Sequence, residues 1–383
     1  MKVFLLSRGV PSKDDPQWGS FEYDQAKALK SMGHDVVILS LESRKKTVFK
    51  GFYIENKLTK EGIKHYNYVC GAIETISFIN TLLYNRIIRY LFSFLYRKVS
   101  SQEGAPDIVY SHYSRNIAIS VTVAEKIPVP IVGMEHLSEL GKTVIKPAVL
   151  KRSRNCYPKL AQLLVVSEAL KNNIKKQIGI ESIVVPNIIG SEFQYKPTTR
   201  KDTCIRFLST GNLLPIKRMD LIIKAFANLD KRLSNWDLTI VGGGVEMPKL
   251  KKFVGDNGLS DKIHIVGRKT RPEIVELINN TDVYILASTS ETFGVAAAEA
   301  LACGVPVIAT DCGGPRDFIT PENGIIIPVN DQQKMEEAIV YMSNNLKNYN
   351  KEEIAKDFHS KFSSEAVANQ LTEIFEDVIK NKR

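Results

Sequence analysis

The chain has 383 residues, which is enough for two or three ordinary domains. Its 44% hydrophobic and 25% charged residues are typical of a soluble globular protein, and no apolar run approaches the roughly 18 residues that span a bilayer. The first ten residues, MKVFLLSRGV, contain a short apolar run that Arg8 ends, so we expect a β-strand there rather than a signal peptide. Five cysteines without a CxxC pair argue against a disulfide framework or a zinc site and favour a cytoplasmic location.

The net charge of +10 is unevenly distributed along the chain. Residues 1–190 contain 27 Lys and Arg against 16 Asp and Glu, whereas residues 191–383 contain 25 against 26. A basic half suits nucleic acid, an anionic membrane or a phosphorylated substrate. Because no nucleic-acid recognition motif accompanies the charge, we expect no nucleic-acid partner.

Both halves alternate short apolar runs with helical patterns, which predicts βαβ units and parallel sheets. In the first half we predict strands at 2–7, 35–40, 107–112, 130–135 and 162–167, and a helix over 21–34. In the second half we predict strands at 205–210, 237–242, 262–267, 282–287 and 305–310, and helices at 219–229, 247–257, 271–280 and 294–303. The predicted fold class is therefore α/β, with two doubly wound Rossmann-like domains.

The predicted domains are residues 1–190 and 204–362. Residues 191–203 are polar, contain Pro197 and show no period, so we predict a linker there. Residues 363–383 form a predicted helix that either closes the second domain or crosses back onto the first. Such sheets bind ligands beyond the carboxyl ends of their strands, so the residues that follow strands are the candidates for a site.

The stretch ETFGVAAAE, residues 291–299, carries the first candidate site. Glu291 lies in a turn after a predicted strand, and Glu299 lies in the helix that follows. The unpaired N–H groups of Phe293, Gly294 and Val295 would form an anion site at the start of that helix. The pattern suits a sugar nucleotide whose hydroxyls the carboxylates bind; a capped helix with a solvated Glu291 is the alternative.

Three further candidates follow other predicted strands of the second half. Lys217 and Arg218 stand before a helix, where cations oppose the helix dipole and favour an anionic partner such as a diphosphate. The glycines around Gly243 and the pair at 267–268, which includes Arg268, follow two more strands at the same edge. An ordinary basic turn and tight structural turns are the alternatives, and the P-loop pattern is absent.

In their order, these signals resemble the retaining glycosyltransferases of glycosyltransferase family 4, which have the two-domain GT-B architecture with a cleft between the domains. ETFGVAAAE matches the E-x7-E motif of that family, and ALACGVPVIATDCGGPRDFI continues it; the resemblance covers nearly the whole chain and is most specific over 205–328. It implies that Glu299 binds the donor ribose, that Glu291 binds the donor sugar and that Lys217 neutralises the diphosphate. It also implies that the segment of Arg268 contacts the base.

The chain departs from that family at two positions. Asn212 stands where the family often has an arginine, and Arg218 stands where it usually has a glycine. Either Arg218 supplies the missing charge, or Lys217 and backbone groups hold the diphosphate alone.

The first half provides the predicted acceptor domain. The family has a Gly-Gly pair before its first helix, and Gly19 followed by Ser20 is the partial match here. His136 follows the predicted strand 130–135; a lone histidine is more often structural, but the resemblance implies that it touches the donor sugar. The other histidines, including His112, lack this context, and no two have metal-ligand spacing.

Residues 81–100 mix apolar, aromatic and basic side chains, and a second basic run covers 142–176. Two interpretations stay open: solvated helix faces of a cytoplasmic protein, and contacts with an anionic membrane surface at its inner face.

No D-x-D triplet occurs, so we expect neither an essential metal nor a cofactor. The sequence thus predicts a retaining glycosyltransferase that moves a hexosyl group from a nucleoside diphosphate sugar to a hydroxyl of a glycan or lipid-linked acceptor. The resemblance suggests surface polysaccharide assembly, with His136 and Glu291 as the residues nearest the chemistry. A sugar-nucleotide epimerase of similar fold and a catalytically silent nucleotide-binding partner subunit are the alternatives.

Overall fold

The computed structural model of the protein describes residues 1–12, 15, 17–43, 52–70, 81–124, 129–198, 200 and 202–381. The chain divides into two compact units. The first unit comprises Met1–Ile188 and Ser364–Arg383, and the second comprises Ile189–Ser363. Each unit is an α/β structure built on its own sheet, as the sequence predicts.

The first unit contains strands and helices in alternation. Its strands are β1 (Lys2–Ser7), β2 (Asp35–Ser43), β3 (Phe52–Leu58), β4 (Lys64–Cys70), β5 (Ile108–His112), β6 (Ile131–Glu135), β7 (Gln162–Val165) and β8 (Ile183–Val184). Its helices are α1 (Ser20–Ser31), α2 (Thr81–Glu103), α3 (Tyr113–Ala124), α4 (Pro147–Cys156), α5 (Glu168–Ile178) and, at the end of the chain, α12 (Ser364–Lys380). The order in the sheet is β3-β4-β2-β1-β5-β6-β7-β8. All neighbouring strands are parallel except β3 and β4, which pair antiparallel at the edge.

The second unit repeats the alternation. Its strands are β9 (Ile205–Thr210), β10 (Trp236–Val241), β11 (Ile263–Gly267), β12 (Val283–Leu286), β13 (Val307–Thr310) and β14 (Gly324–Ile327). Its helices are α6 (Met219–Leu229), α7 (Met247–Asp256), α8 (Arg271–Asn279), α9 (Val295–Ala302), α10 (Gln332–Asn345) and α11 (Lys351–Phe362). The order in the sheet is β11-β10-β9-β12-β13-β14, and all described pairs are parallel.

The strand order places a topological switch point in each sheet. In the first unit the chain builds the sheet from β1 towards β2 on one side and towards β5 on the other. In the second unit it builds from β9 towards β10 on one side and towards β12 on the other. The loops after the two diverging strands leave a crevice at that point, which is where open α/β sheets bind ligands.

Burial explains why these segments become strands and helices. The four consecutive residues Val3 to Leu6 in β1 are almost fully buried, as is usual for a central parallel strand covered on both faces. In the second unit, α6 buries seven of its eleven residues, and Phe226 packs its ring against Phe207 and Trp236 of the sheet. Each of these large side chains stabilises its unit by roughly 1.5–3 kcal/mol on burial.

Residues 191–203, the predicted linker, group with the second unit. Phe193 is fully buried there, and Lys196 N donates a hydrogen bond to Asn279 Oδ1 at 2.8 Å. Arg200 forms an ion pair with Asp282. One buried aromatic ring and a few polar contacts anchor a segment whose composition is otherwise that of a loop.

Helix α12 is part of the first unit. The ring of Phe375 packs edge-on against Tyr110 with centroids 5.0 Å apart, and Gln370 Nε2 donates to Val184 O at 2.8 Å. His34 Nε2 lies 2.8 Å from Thr372 Oγ1. Of the two predicted placements for the last helix, the structure has the one on the first unit.

Candidate active site

The four candidate segments of the second unit meet at one edge of its sheet. They follow β9, β10, β11 and β12, which are neighbours in the strand order. Leu213 N donates to Gly243 O at 3.0 Å, and Gly242 N donates to Gly267 O at 2.8 Å. Thr289 N donates to Ile216 O at 2.9 Å across the switch point. The loops therefore form one continuous surface.

The glycines after β10 allow two backbones to touch. Gly242 has φ +148°, and a Cβ built on it would lie 1.8 Å from the carbonyl oxygen of Gly211. No other residue fits such an approach. Gly243 itself lies beside Arg268, because a Cβ there would be 3.2 Å from Arg268 Nε. The side chains of Arg268 and Asn212 are exposed at this edge.

Lys217 and Glu291 form an ion pair across the switch point. Lys217 ends a short 3-10 turn before α6, and its Nζ lies 2.5 Å from Glu291 Oε1. Ser288 Oγ donates to the same carboxylate oxygen at 2.7 Å. The two side chains keep 25% and 15% of their surface exposed, so an anionic ligand can reach the lysine.

Arg218 is directed to its own helix and to a neighbouring loop. It begins α6 with φ +50°, and its Nε and Nη2 donate to the two carboxylate oxygens of Asp220 at 3.0 and 3.2 Å. Its Nη1 donates to Asn330 Oδ1. Burial opposes ionisation of Asp220, but the hydrogen bonds and charge of Arg218 outweigh it and lower the pKa of that carboxyl. In this structure the guanidinium of Arg218 is thus engaged by Asp220 and Asn330.

Helix α9 starts beside this ion pair. Gly294 precedes it with φ +94°, and a Cβ at this position would lie 2.7 Å from Pro315 Cγ. Among the described residues, the N–H groups of Phe293, Gly294 and Val295 donate to no backbone carbonyl. Phe293 buries its ring against Phe318, so its amide is held firmly in place. Amides of this kind at a helix start can bind an anion.

Glu299 differs from Glu291 in its environment. Its side chain is only partly exposed, and no donor in the described part of the chain hydrogen-bonds to its carboxylate. Burial raises the pKa of Glu299 to about 7, while Arg271 lowers it and Glu192 raises it. Arg271 pairs with Glu192 and lies over the ring of Phe193 at 5.1 Å. Glu299 is thus a carboxylate whose hydrogen-bonding capacity is unused by its neighbours.

In the first unit, the structure brings His136 together with His112. His112 ends β5 and His136 follows the neighbouring strand β6, and their Nδ1 and Nε2 atoms lie 3.1 Å apart. The two ring planes are inclined by only 10°. Phe21 stacks on the other side of His136 with an interplanar angle of 12°. The sequence predicted no role for His112, although both histidines stand at the ends of predicted strands.

Both histidine rings are neutral at pH 7. Burial lowers the pKa of His136 to about 4; Glu22 and the nearby side chain of Asn187 act against this effect, and Arg8 adds to it. Burial also holds the pKa of His112 well below its ordinary value, with the charges of His136 and Arg8 acting in the same direction. The histidine pair therefore does not provide a general base of ordinary strength.

A second group at this switch point was missed by sequence reasoning. Arg8 follows β1, and its Nε and Nη2 donate to the buried carboxylate of Glu22 at 2.8 and 3.2 Å. The guanidinium also lies 5.0 Å from the ring of Trp18 and 4.0 Å from that of Tyr113. Tyr113 has φ +66°, which is rare for an aromatic residue and common near functional sites. Trp18 keeps 44% of its surface exposed.

Gly19 and Glu135 fix the backbone beside these groups. Gly19 precedes α1 with φ +71°, and a Cβ there would lie 2.1 Å from Gly9 O. Glu135 is fully buried and accepts hydrogen bonds from His136 N, Leu137 N and the hydroxyl of Tyr157 at 2.7–3.0 Å. These contacts fix the chain that carries His136, while a contact of Gly19 with a donor stays a prediction.

No group of three or more His, Cys, Asp or Glu in the described segments is arranged to hold a metal ion. The expectation of a reaction without metal stays a prediction.

Two family models match the chain. Residues 21–193 match Glycosyltransferase Family 4, and residues 191–378 match Glycosyl transferases group 1. The chain is 26% identical over 287 residues to the uncharacterized glycosyltransferase MJ1178 of Methanocaldococcus jannaschii, covering 74% of this chain and 78% of that protein. It is 24% identical over 356 residues to the putative teichuronic acid biosynthesis glycosyltransferase TuaC of Bacillus subtilis, covering 88% of each.

Solved structures share the fold over the full length. Sucrose-phosphate synthase from Thermosynechococcus elongatus has a TM-score of 0.79 at 15% identity and covers 100% of both chains. Anabaena Alr3699/HepE in complex with UDP and glucose has a TM-score of 0.72 at 16% identity, covering 98% of this chain and 100% of that one. At these identities the likeness establishes the fold alone.

Proposed function

Because the chain belongs to the glycosyltransferases of the family 4 type with the GT-B fold, we propose that it is a retaining hexosyltransferase. It would move a hexosyl group from a nucleoside diphosphate sugar to a hydroxyl of a glycan or lipid-linked acceptor. The observation that carries the proposal is that Lys217 follows β9, while the amides that begin α9 and Glu299 within α9 follow the neighbouring strand β12.

These groups match the parts of a nucleotide sugar. Lys217 and the amides that begin α9 suit the diphosphate, because they offer positive charge and aligned N–H donors. Glu299 has unused acceptor capacity that suits ribose hydroxyls. Glu291 suits hydroxyls of the sugar, and Arg268 beside Gly243 suits the base.

The proposed chemistry is a direct transfer. The bond between the anomeric carbon and the phosphate oxygen breaks, and the acceptor hydroxyl attacks from the same face. Its proton passes to the departing phosphate oxygen, which leaves a nucleoside diphosphate and a product of retained configuration. Lys217 and the helix amides stabilise the charge that develops on the leaving group, so no metal or cofactor is needed.

Glu291 acts in this scheme by positioning the sugar. One of its oxygens already accepts hydrogen bonds from Lys217 and Ser288, which lowers its reactivity as a nucleophile. His136 likewise positions the donor, because a neutral ring with a pKa of about 4 is a weak base.

The experiment has two steps. Thermal-shift and calorimetric titrations with UDP-, GDP- and ADP-hexoses identify the donor, and product NMR with candidate acceptors reports transfer and anomeric configuration. We expect one nucleotide class to bind and the product to keep the donor configuration. Epimerisation of the donor alone would instead identify the epimerase, and binding without turnover on any acceptor would support the silent subunit. An inverted product would contradict the retaining mechanism.

A membrane surface is the second proposed partner, and the solvent face of α2 supports it. Tyr90 and Phe94 keep 67% and 45% of their surface exposed, although the opposite face of the helix is buried in the first unit. Four basic side chains share the exposed face: Arg86, Arg89, Arg97 and Lys98. No helix in the described segments is long and apolar enough to span a bilayer. Exposed aromatic and basic groups together suit the interface of an anionic membrane.

Sedimentation with vesicles tests this surface. The protein should sediment with phosphatidylglycerol vesicles and stay in solution with phosphatidylcholine vesicles. The double substitution Tyr90→Ser and Phe94→Ser should weaken binding, whereas Tyr341→Ser, which removes from the second unit a ring whose exposure lies between those of Tyr90 and Phe94, should not. Equal binding by all three proteins would rule out this face.

A further inference from the structure

The buried hydroxyl of Ser288 is bonded to one oxygen of the Glu291 carboxylate. Ser288 follows β12 and keeps only 1% of its surface exposed, and its Oγ donates to Glu291 Oε1 at 2.7 Å. A serine hydroxyl has a single proton to donate. The bond to Glu291 therefore uses the whole donor capacity of this side chain.

Both ends of this hydrogen bond are attached to the end of β13 and the residues that follow it. Thr310 is fully buried, and its Oγ1 donates to Ser288 O at 2.5 Å. Glu291 N donates to Cys312 O at 2.8 Å, and Gly314 N donates to Glu291 O at 3.0 Å. Because the backbone of both residues is fixed in this way, the bond between their side chains determines the orientation of the carboxylate.

The two oxygens of Glu291 differ in what they contact. Oε1 accepts from Ser288 Oγ at 2.7 Å and from Lys217 Nζ at 2.5 Å, whereas no donor in the described segments of the chain hydrogen-bonds to Oε2. Each carboxylate oxygen has about two lone-pair positions, so Oε1 is fully used and Oε2 keeps its acceptor capacity. The side chain keeps 15% of its surface exposed, which leaves Oε2 as the oxygen for a ligand.

Ser288 and Lys217 differ in whether a ligand can compete for them. Lys217 keeps 25% of its side chain exposed, so an anion that binds its ammonium group weakens the contact with Glu291. Ser288 is buried, and its one proton is already bound. With an anion on Lys217, Ser288 is the donor that keeps Oε1 in place.

We propose that Ser288 is a positioning residue for the transfer reaction: its hydroxyl fixes Oε1 of Glu291, so that Oε2 meets a hydroxyl of the hexosyl group. The kinetic part of this proposal rests on the proposed function, because it assumes that Glu291 binds the sugar. The hydrogen bond itself is a property of the protein without substrate, so it is tested separately.

Thermal unfolding of the full chain without nucleotide tests the hydrogen bond. Ser288→Ala should lower the melting temperature of the wild type, because Glu291 loses a donor. In a Glu291→Ala background the same substitution should not lower it, because the serine hydroxyl is then a buried group without that partner. An equal decrease in both backgrounds would overturn the proposal.

Ser343→Ala is the matched control for this comparison. The Ser343 hydroxyl lies on α10 of the same unit and donates to Ile339 O at the same distance of 2.7 Å. Because this bond does not involve Glu291, the change in melting temperature should be the same in the wild type and in the Glu291→Ala background.

Kinetics with the identified donor test the positioning. The kcat of Ser288→Ala should fall by about 10- to 100-fold, the effect of slight misplacement at the reacting centre, with little change in donor KM. Ser288→Cys should lose the same factor, because a thiol fills the space of the hydroxyl but is a weak donor. Ser343→Ala should keep the kcat of the wild type.

The Glu291→Ala background also separates the possible outcomes of the kinetics. There, Ser288→Ala should cause no further loss of kcat, since the group that it positions is already gone. An unchanged kcat in Ser288→Ala, or an equal further loss in the Glu291→Ala background, would overturn the proposal. If no donor supports transfer, the unfolding measurements still decide whether Ser288 fixes Glu291, and the proposed function alone fails.

Discussion

The two units place their candidate groups at the same point of their sheets and treat them in opposite ways. In the second unit, Lys217 and Glu291 face each other across the β9/β12 switch point and stay partly exposed. In the first unit, His112 ends β5 beside the β1/β5 switch point, and it and His136 are buried and neutral. The charged side chains of the second unit are thus accessible to a ligand, whereas the histidine rings of the first unit are uncharged and fixed by packing.

Solvation explains the difference. A side chain that must meet a diphosphate has to be ionised before the ligand arrives, and partial exposure keeps it so at little cost. A ring that only has to occupy a defined place gains from burial, because packing and hydrogen bonds leave it one orientation. The contrast is therefore between charged, partly exposed candidate groups in the second unit and buried, neutral histidines in the first.

The largest expected effect comes from removing the charge of Glu291, which is partly exposed in the second unit. Glu291→Gln keeps the shape of the side chain but loses the charge that pairs with Lys217, so in the proposed reaction the sugar would lose a charged acceptor. We expect kcat to fall about 100- to 1,000-fold, as when one preorganised transition-state contact is removed. Steady-state kinetics with the identified donor would measure it.

Two controls sharpen this comparison. Glu353→Gln changes an exposed carboxylate of α11 in the same unit and should leave kcat unchanged. Glu135→Gln changes the fully buried carboxylate behind His136 and should mainly reduce the free energy of unfolding, by roughly 1–3 kcal/mol for a buried group left badly paired. If Glu291→Gln instead unfolded the protein and Glu135→Gln only slowed it, the contrast between the units would be wrong.

The next effect concerns affinity. Glu299→Ala removes the unused acceptor, and we expect binding of the nucleoside diphosphate to weaken about 10- to 100-fold, because hydrogen bonds to a charged group contribute ~1.5–3 kcal/mol. Calorimetry with the ribose and deoxyribose forms of the nucleotide isolates the contact. The wild type should bind the deoxyribose forms more weakly than the ribose forms, and the variant should bind both equally. If both proteins lost the same affinity, Glu299 would not bind the ribose.

The sequence predicted the second unit more closely than the first. Strand β9 and helix α6 have the predicted limits, because their apolar periodicity is strong and uninterrupted. The candidate groups there are also local: Lys217 and Glu291 each follow a predicted strand within a few residues. Parallel strands then bring such loops to one edge, so the meeting of four loops could be predicted without knowing any side-chain contact.

The first unit depends more on contacts between distant segments. Arg8 meets Tyr113 only because β1 and β5 are neighbours, and nothing in either local sequence marks the pair. The β3/β4 hairpin was not predicted, because β4 buries Tyr66 and Asn67 where an apolar run is expected. The pairing of His112 with His136 needed the order of β5 and β6, which sequence alone does not give.

The smallest expected effect is on stability and tests the electrostatic side of the comparison. The pKa of Glu299 is raised from 4.5 to about 7, so between these values the folded protein holds a proton that the unfolded chain has released. Stability contributed by this residue therefore falls as pH rises through that window. Above pH 7 the folded protein bears a poorly solvated carboxylate.

Glu299→Gln should remove that cost without changing the shape of the side chain. The melting temperature of the variant should exceed that of the wild type at pH 8, and the difference should shrink towards pH 5, where Glu299 is protonated and resembles glutamine. Thermal unfolding of both proteins across pH 5–8 without nucleotide measures it, and subtracting the two curves cancels Glu135, whose raised pKa acts in the same direction. A difference that did not vary with pH would mean that Glu299 ionises normally. If the difference depends on pH and the same variant also binds the nucleotide more weakly, Glu299 lowers the stability of the folded protein and raises its affinity for the ligand.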